Sequence, residues 1–277
     1  MLNKFPIIPN HFILATKEWK SQTDLLEKED LEATYACIRE WDDAQKDRNK
    51  NGNGDGKRLF AFFNSGPESG ASQPHRHIQF LPVEAMRDQD GEGQNTSSWK
   101  PLIDTVAEQQ PTKPAGSATE AAEYRSLGRL PFVHFALPLP PNPPADTLHA
   151  IYLSLYRAAV TAAAKAENPD SNQADNIPPQ TSGEAAISHN LAMTDSAMMI
   201  CPRRNETASV PIDKNAAGGN GEVLGAGEIA LNGTILAGTL VVKAEAEWNE
   251  LRRDPEILTG ALQTVGYPGS VAKGSSL

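Results

Sequence analysis

Two stretches constrain this chain more than any others: RLFAFFNSG at residues 58–66 and, shortly after it, HRHIQF at residues 75–80. The first is an aromatic run that predicts a strand buried on both faces, turning at Asn64–Gly66. The second alternates. In an extended chain, residues i, i+2 and i+4 share a face. His75, His77 and Gln79 therefore form a polar row, backed by Arg76, Ile78 and Phe80. The glycine-bearing loop between the two stretches is short, which predicts that the strands are neighbours in one sheet. A polar row of this kind must face water, a metal or a polar ligand.

The rest of the chain alternates strand and helix patterns. MLNKFPIIPNHFILAT reads as a strand broken by Pro6 and Pro9 and resumed from His11 to Ala15. An apolar opening of this sort suggests that a further segment precedes it. In DLEATYACIREW, residues Leu31, Tyr35, Ile38 and Trp41 recur at helical spacing, and a Gly/Asn/Lys loop follows. From Asp88 to Ser126 the hydrophobic pattern fades, which marks the best boundary, dividing the chain into regions 1–127 and 128–277. RLPFVHFALPLP then predicts a strand, and DTLHAIYLSLYRAAVTAAAKAE the clearest helix, with Asp146 at its positive end. ISHNLAMTDSAMMICPR reads as a hairpin turning near Asp195 and Ser196. GNGEVLGAGEIALNG reads as loop, ILAGTLVVK as a strand, and the segment from Glu245 to Gly266 as two short helices. This order favours an α+β fold with a mainly antiparallel sheet flanked by helices.

Charge and composition exclude several functions. The formal net charge is −10 and no lysine/arginine tract is present, which argues against binding a nucleic-acid backbone. No apolar run reaches the length of a membrane span, so no membrane partner is expected, and the cytoplasm or nucleus is the expected compartment. Cys37 and Cys201 lie far apart and outside any C-x-x-C pattern, consistent with reduced thiols.

Three readings of the polar row compete. It can be a sheet face with two satisfied histidines. It can be a zinc site, since H-x-H supplies two imidazoles, but no third ligand lies within the motif and no metal is expected. Or it can attack phosphorus, one imidazole serving as nucleophile. The surroundings favour the last. Gly70, Ala71, Ser72 and Gln73 are small or amide-bearing, and their N–H groups could cradle phosphate oxygens, with Asn64 upstream at a strand end. His134 and His11 read as structural, His149 as a surface residue, and His189 as a residue that could approach the site.

SGASQPHRHIQ resembles the signature of the fungal diadenosine tetraphosphate phosphorylases, also called ATP adenylyltransferases, of the histidine-triad superfamily. LNKFPIIPNHFILATKE, SHNLAMT, MMICPR and LAGTLVVK resemble further blocks of that family. The resemblance implies a histidine-triad-like fold of two half-domains sharing one site: an N-terminal catalytic region and a C-terminal ATP adenylyltransferase domain. It implies that His77 becomes nucleotidylated, that His75 shapes the site and that Gln79 donates to a non-bridging phosphoryl oxygen. Gly70, Ala71, Ser72 and Gln73 would hold the polyphosphate with Asn64 beside them. Asn190, Thr194 and Lys243 match positions near the substrate, whereas Thr239 stands where the family has methionine.

The implied partners are a small dinucleoside polyphosphate, ADP, ATP and phosphate. No cofactor is expected to bind tightly, and magnesium would arrive with the substrate. Family members carry a longer N-terminal segment with basic residues, which makes a catalytically impaired nucleotide-binding protein one alternative. A hydrolase of the same superfamily is another, although Gln79 stands where that branch has histidine.

Overall fold

The structure, a computed structural model, describes residues 7–48, 58–86, 99–110, 123–169, 178–212 and 227–269. Its strands are β1 (Phe12–Ala15), β2 (Leu59–Ser65), β3 (His77–Pro82), β4 (Phe135–Pro138), β5 (His189–Met193), β6 (Ala197–Pro202), β7 (Thr207–Ser209) and β8 (Glu228–Ala230). Its helices are α1 (Lys28–Arg48), α2 (Leu102–Ala107), α3 (Ala145–Glu167), α4 (Glu245–Arg253) and α5 (Pro255–Val265).

Six strands form one antiparallel sheet in the order β1-β3-β2-β5-β6-β4, and β7 and β8 form a separate pair. The expected α+β architecture is the observed one. All seven residues of β2 are buried, as the aromatic run demanded, because β2 lies inside the sheet with cover on both faces. Burying one such phenylalanine contributes roughly 1.5–3 kcal/mol. The two halves of the chain meet at the β2–β5 seam, where Phe62 pairs with Ala192 and Asn64 with Asn190. Residues 1–127 supply β1, β3 and β2, and residues 128–277 supply the other three strands of that sheet.

One sheet face carries Phe63, Phe80, Leu191 and Ile200, packed with Leu31 and Ile38 of α1 and Leu148, Tyr152 and Leu155 of α3. The helical spacing of those side chains puts them on one stripe each. The opposite face carries Phe60, Phe62, Ala192 and Met199, packed with Ile103 of α2, Ile229 of β8, Ile235 and Leu236, and Val265 of α5.

Several expectations need correction. ILAGTLVVK is not a strand: Gly233–Ala237 is a 3-10 turn, and no regular element covers Thr239–Lys243. Asn232 accepts the Thr234 N–H through its side chain and starts the turn, while Gly238 ends it at φ +78°. A short apolar run fits either element, and the caps decide. The helix from Lys28 runs on through Arg48, and Glu228–Ala230, read as loop, pairs with β7. His149 is half-buried, its ring near Tyr152, rather than at the surface. Met1–Pro6, where the opening strand was expected to begin, lie outside the described residues.

His189 lies on the helix-covered face, fully buried against the rings of Phe63, Tyr152 and Tyr156, and away from the polar row. Burial holds its pKa down at about 4, and only the Ile187 carbonyl opposes this. The unfolded chain therefore binds one proton more than the native state between the unfolded value of about 6.5 and the native value of about 4. Stability falls as pH drops through that window, by about 3 kcal/mol for this group at most. Urea midpoints at pH 7 and pH 4.5 are expected to differ less in His189→Phe than in the parent. Equal differences would place the acid sensitivity elsewhere.

Candidate active site

β3 begins at His77, one residue pair later than the polar row required. His75 precedes it and makes only an isolated bridge with Ser21. His77 and Gln79 share the sheet face that also carries Phe62, Asn64 and Asn190. Across β1, His77 faces Ala15 and Gln79 faces Ile13.

The His77 ring is fixed by its own neighbour. Nδ1 lies 2.8 Å from the His75 carbonyl oxygen, a bond that requires Nδ1 to carry the proton. Nε2 is then the nitrogen with a lone pair, and no described residue hydrogen-bonds to it. His75 thus acts on His77 through its backbone. Its own Nε2 is taken up by the Thr16 hydroxyl at 2.9 Å and the Glu18 carbonyl at 3.2 Å. The Gln79 amide is hydrogen-bonded to the imidazole of His11, whose pKa burial lowers and this bond partly restores.

Behind the motif, Arg76 points to the opposite face and is almost wholly buried. Its guanidinium donates to Asp30 at 2.7 Å, Glu27 at 3.0 Å and the Ser21 carbonyl at 3.3 Å. The residue between the two histidines therefore ties the motif to the start of α1.

Asn64 and Asn190 pair across the β2–β5 seam, and their side chains bond to protein groups. Both are buried. The Asn190 amide donates to Asn64 Oδ1 at 2.9 Å and to the Ser69 carbonyl at 2.8 Å. Asn64 Oδ1 also accepts the Gly233 N–H at 2.9 Å. Asn190 Oδ1 accepts from Arg203 at 2.5 Å, and Arg203 further donates to the carbonyls of Val265, Asn205, Leu231 and Glu206. The resulting cage fixes the turn from Gly66 to Gly70. Gly70 sits at φ +76°, where a Cβ would come within 2.8 Å of the Leu231 carbonyl.

Beyond that turn, Ala71, Ser72 and Gln73 leave their backbone N–H groups without partners among the described residues, and Ser72 and Gln73 are exposed. Donors held this way by a fixed turn suit an anion. Sequence reasoning assigned no role to Arg203, although it closes the MMICPR block, because most of its partners lie far along the chain.

Two expected residues lie apart from this group. Thr194 follows β5 at its other end, about 13 Å along the strand from Asn190 at a rise of roughly 3.3 Å per residue. Its hydroxyl donates to Asp104 Oδ1 at 3.1 Å, within a cluster where Arg58 bridges Asp104 and Asp195 at 2.7 Å each. Lys243 is exposed just before α4, and its backbone N–H donates to buried Glu247 at 3.0 Å. His134 is satisfied structurally, Nδ1 donating to Phe132 and Nε2 accepting from Leu127.

The arrangement is an antiparallel sheet that carries a histidine whose Nε2 keeps its lone pair, a group able to act as a nucleophile. The family models agree with it. Residues 128–268 match the ATP adenylyltransferase C-terminal domain, and residues 1–92 match the Ap4A phosphorylase N-terminal domain. The chain belongs to this family of ATP adenylyltransferases and Ap4A phosphorylases.

Two Saccharomyces cerevisiae proteins are similar to it: Protein APA1 and diadenosine 5',5'''-P1,P4-tetraphosphate phosphorylase 2. Each is 26% identical, across 98% and 99% of this chain and 69% and 70% of their own lengths respectively. The crystal structure of yeast Ap4A phosphorylase Apa2 superposes with a TM-score of 0.68 at 25% identity, covering 100% of this chain and 73% of that one. A second Apa2 structure, in complex with Ap4A, gives the same TM-score at 24% identity, over 97% of this chain and 73% of that one.

Gln79 shares the sheet face of His77, and the family resemblance implies that its amide meets charge growing on the phosphoryl oxygen. Gln79→Ala is expected to lower kcat by about 10²- to 10³-fold with a smaller change in KM. Steady-state kinetics check this, and a change confined to KM would place Gln79 in substrate holding.

Proposed function

We propose that this chain cleaves diadenosine tetraphosphate with inorganic phosphate to yield ADP and ATP, through an adenylyl group carried on His77. The observation that carries the reading is the Nδ1–H bond to the His75 carbonyl, which leaves Nε2 as the nucleophile. Nε2 attacks a phosphorus bonded to one adenosine, forming an N–P bond, and ATP departs with the electrons of the broken P–O bond. A phosphate oxygen then attacks the same phosphorus, the N–P bond breaks, and ADP leaves with the imidazole restored.

Positive charge develops on the ring in the first step, and the His75 carbonyl dipole stabilises it. The unpaired N–H groups of Ala71, Ser72 and Gln73 receive the polyphosphate, with Gln79 on the reacting phosphorus. Magnesium enters as a counterion of the polyphosphate. The named activity of the similar yeast phosphorylase and the binding of Ap4A by Apa2 support the same substrate class.

The test is product analysis with and without phosphate. ADP and ATP in equal amounts, appearing only with phosphate, are expected. AMP and ATP formed from water alone would make the chain a hydrolase, and binding without turnover would make it a nucleotide-binding protein.

A further inference from the structure

β2 and β3 pair from Leu59–Pro82 to Phe62–Gln79, and there the ladder ends. β2 nevertheless continues to Ser65, paired with β5 on its other side. Continued in register, Asn64 would oppose His77. The side chain of Gln22 occupies that junction instead. Its Oε1 accepts the His77 N–H at 2.7 Å, and its Nε2 donates to the Asn64 carbonyl at 2.7 Å and to the His77 carbonyl at 3.2 Å.

A carboxamide has the same donor and acceptor groups as a peptide, so Gln22 replaces one rung of the ladder while spacing the strands apart. The residue is 2% exposed, and its own N–H is anchored to the Pro74 carbonyl at 2.8 Å. His77 is thereby held on both of its backbone polar groups. Asn64 carries the chain of bonds onward to Asn190 and Arg203.

We propose that Gln22 is the positioning residue for His77, setting the aim of Nε2 by clamping the His77 backbone where β2 and β3 part. This rests on His77 being the nucleophile. A nucleophile misplaced by a fraction of an ångström loses rate while the ligand still binds. The Gln22 side chain bonds to the backbone of His77 and Asn64 and to none of Ala71, Ser72 and Gln73. Its effect therefore falls on the chemical step.

The experiment compares the parent with Gln22→Met, which keeps the length of the side chain and removes its polar atoms, and with Gln22→Glu, which keeps the acceptor and removes the amide donor. Single-turnover transfer of labelled adenylate onto the protein is measured beside KM and thermal stability. At least a tenfold slower transfer is expected in Gln22→Met, with KM within about twofold and a melting transition that remains cooperative. Gln22→Glu is expected to be slower still, its carboxylate facing two carbonyl oxygens. Parent-like transfer rates in both variants would overturn the proposal. So would a failure of both to fold, which would make Gln22 a residue of stability alone. A parent that acquires no label on His77 would instead overturn the reading of the nucleophile.

Discussion

Replacing His77 with alanine is expected to lower turnover by on the order of 10⁴- to 10⁶-fold, the scale on which removal of a covalent nucleophile is felt. The size of the effect follows from the tautomer. Nε2 of His77 has a lone pair, held there by the Nδ1–H bond to the His75 carbonyl, on the sheet face it shares with Gln79. His75 cannot substitute, because its Nε2 is engaged by Thr16 and Glu18. His189 cannot either, since it is fully buried on the other face. The fold should survive: the imidazole bonds only to its own neighbour, and the cost is about 1–2 kcal/mol. Phosphate-dependent ADP release measured beside a urea titration separates the two effects. A His77→Ala protein with more than a few per cent of parental turnover would contradict the assignment.

The largest effect on stability is expected at Arg203. Its guanidinium is nearly buried and donates to the side chain of Asn190 and to four backbone carbonyls, and no carboxylate within ion-pair distance shares it among the described residues. Burial lowers its pKa, so the charge is kept at a cost that the carbonyl dipoles offset. Arg203→Met would strand those acceptors in a dry interior and release Asn190 from its grip on Ser69 and Asn64. The expected loss is about 3–5 kcal/mol. Arg203→Lys should recover little of it, since an ammonium has three donors and no planar fork. A urea midpoint within experimental error of the parent would show that the cage around Gly66–Gly70 is held by other contacts.

The sequence carried the elements whose burial is periodic. β2 was visible because a strand buried on both faces must be continuously apolar, and α1 and α3 because one stripe of each meets the sheet. The pairing of β2 with β3 followed from a short loop. Thr239–Lys243 was misread because apolar content alone does not separate a strand from a capped turn followed by irregular chain. Within the site, His77, Gln79 and the loop from Gly70 to Gln73 were legible as one local motif. Asn190, matched by resemblance to a position near the substrate, is hydrogen-bonded to Asn64 across the β2–β5 seam, a contact that no local pattern showed. Thr194, four residues along the strand from Asn190, has its hydroxyl on Asp104, a partner that no local pattern showed. Gln22 left no signal, and Arg203 closed the MMICPR block without a role being read for it, since a lone glutamine in a polar turn and an arginine after a strand gain meaning only from partners brought in by the sheet.

The nucleophile itself can be observed. The parent protein is mixed with adenine-labelled diadenosine tetraphosphate in the absence of phosphate, quenched, digested and mapped by mass spectrometry. One adenylyl group per chain is expected on the peptide containing His77, stable to base, labile to acid, and discharged as ADP when phosphate is added before the quench. Label on another residue, no label at all, or label that phosphate fails to release at the rate of turnover would contradict a reaction through His77.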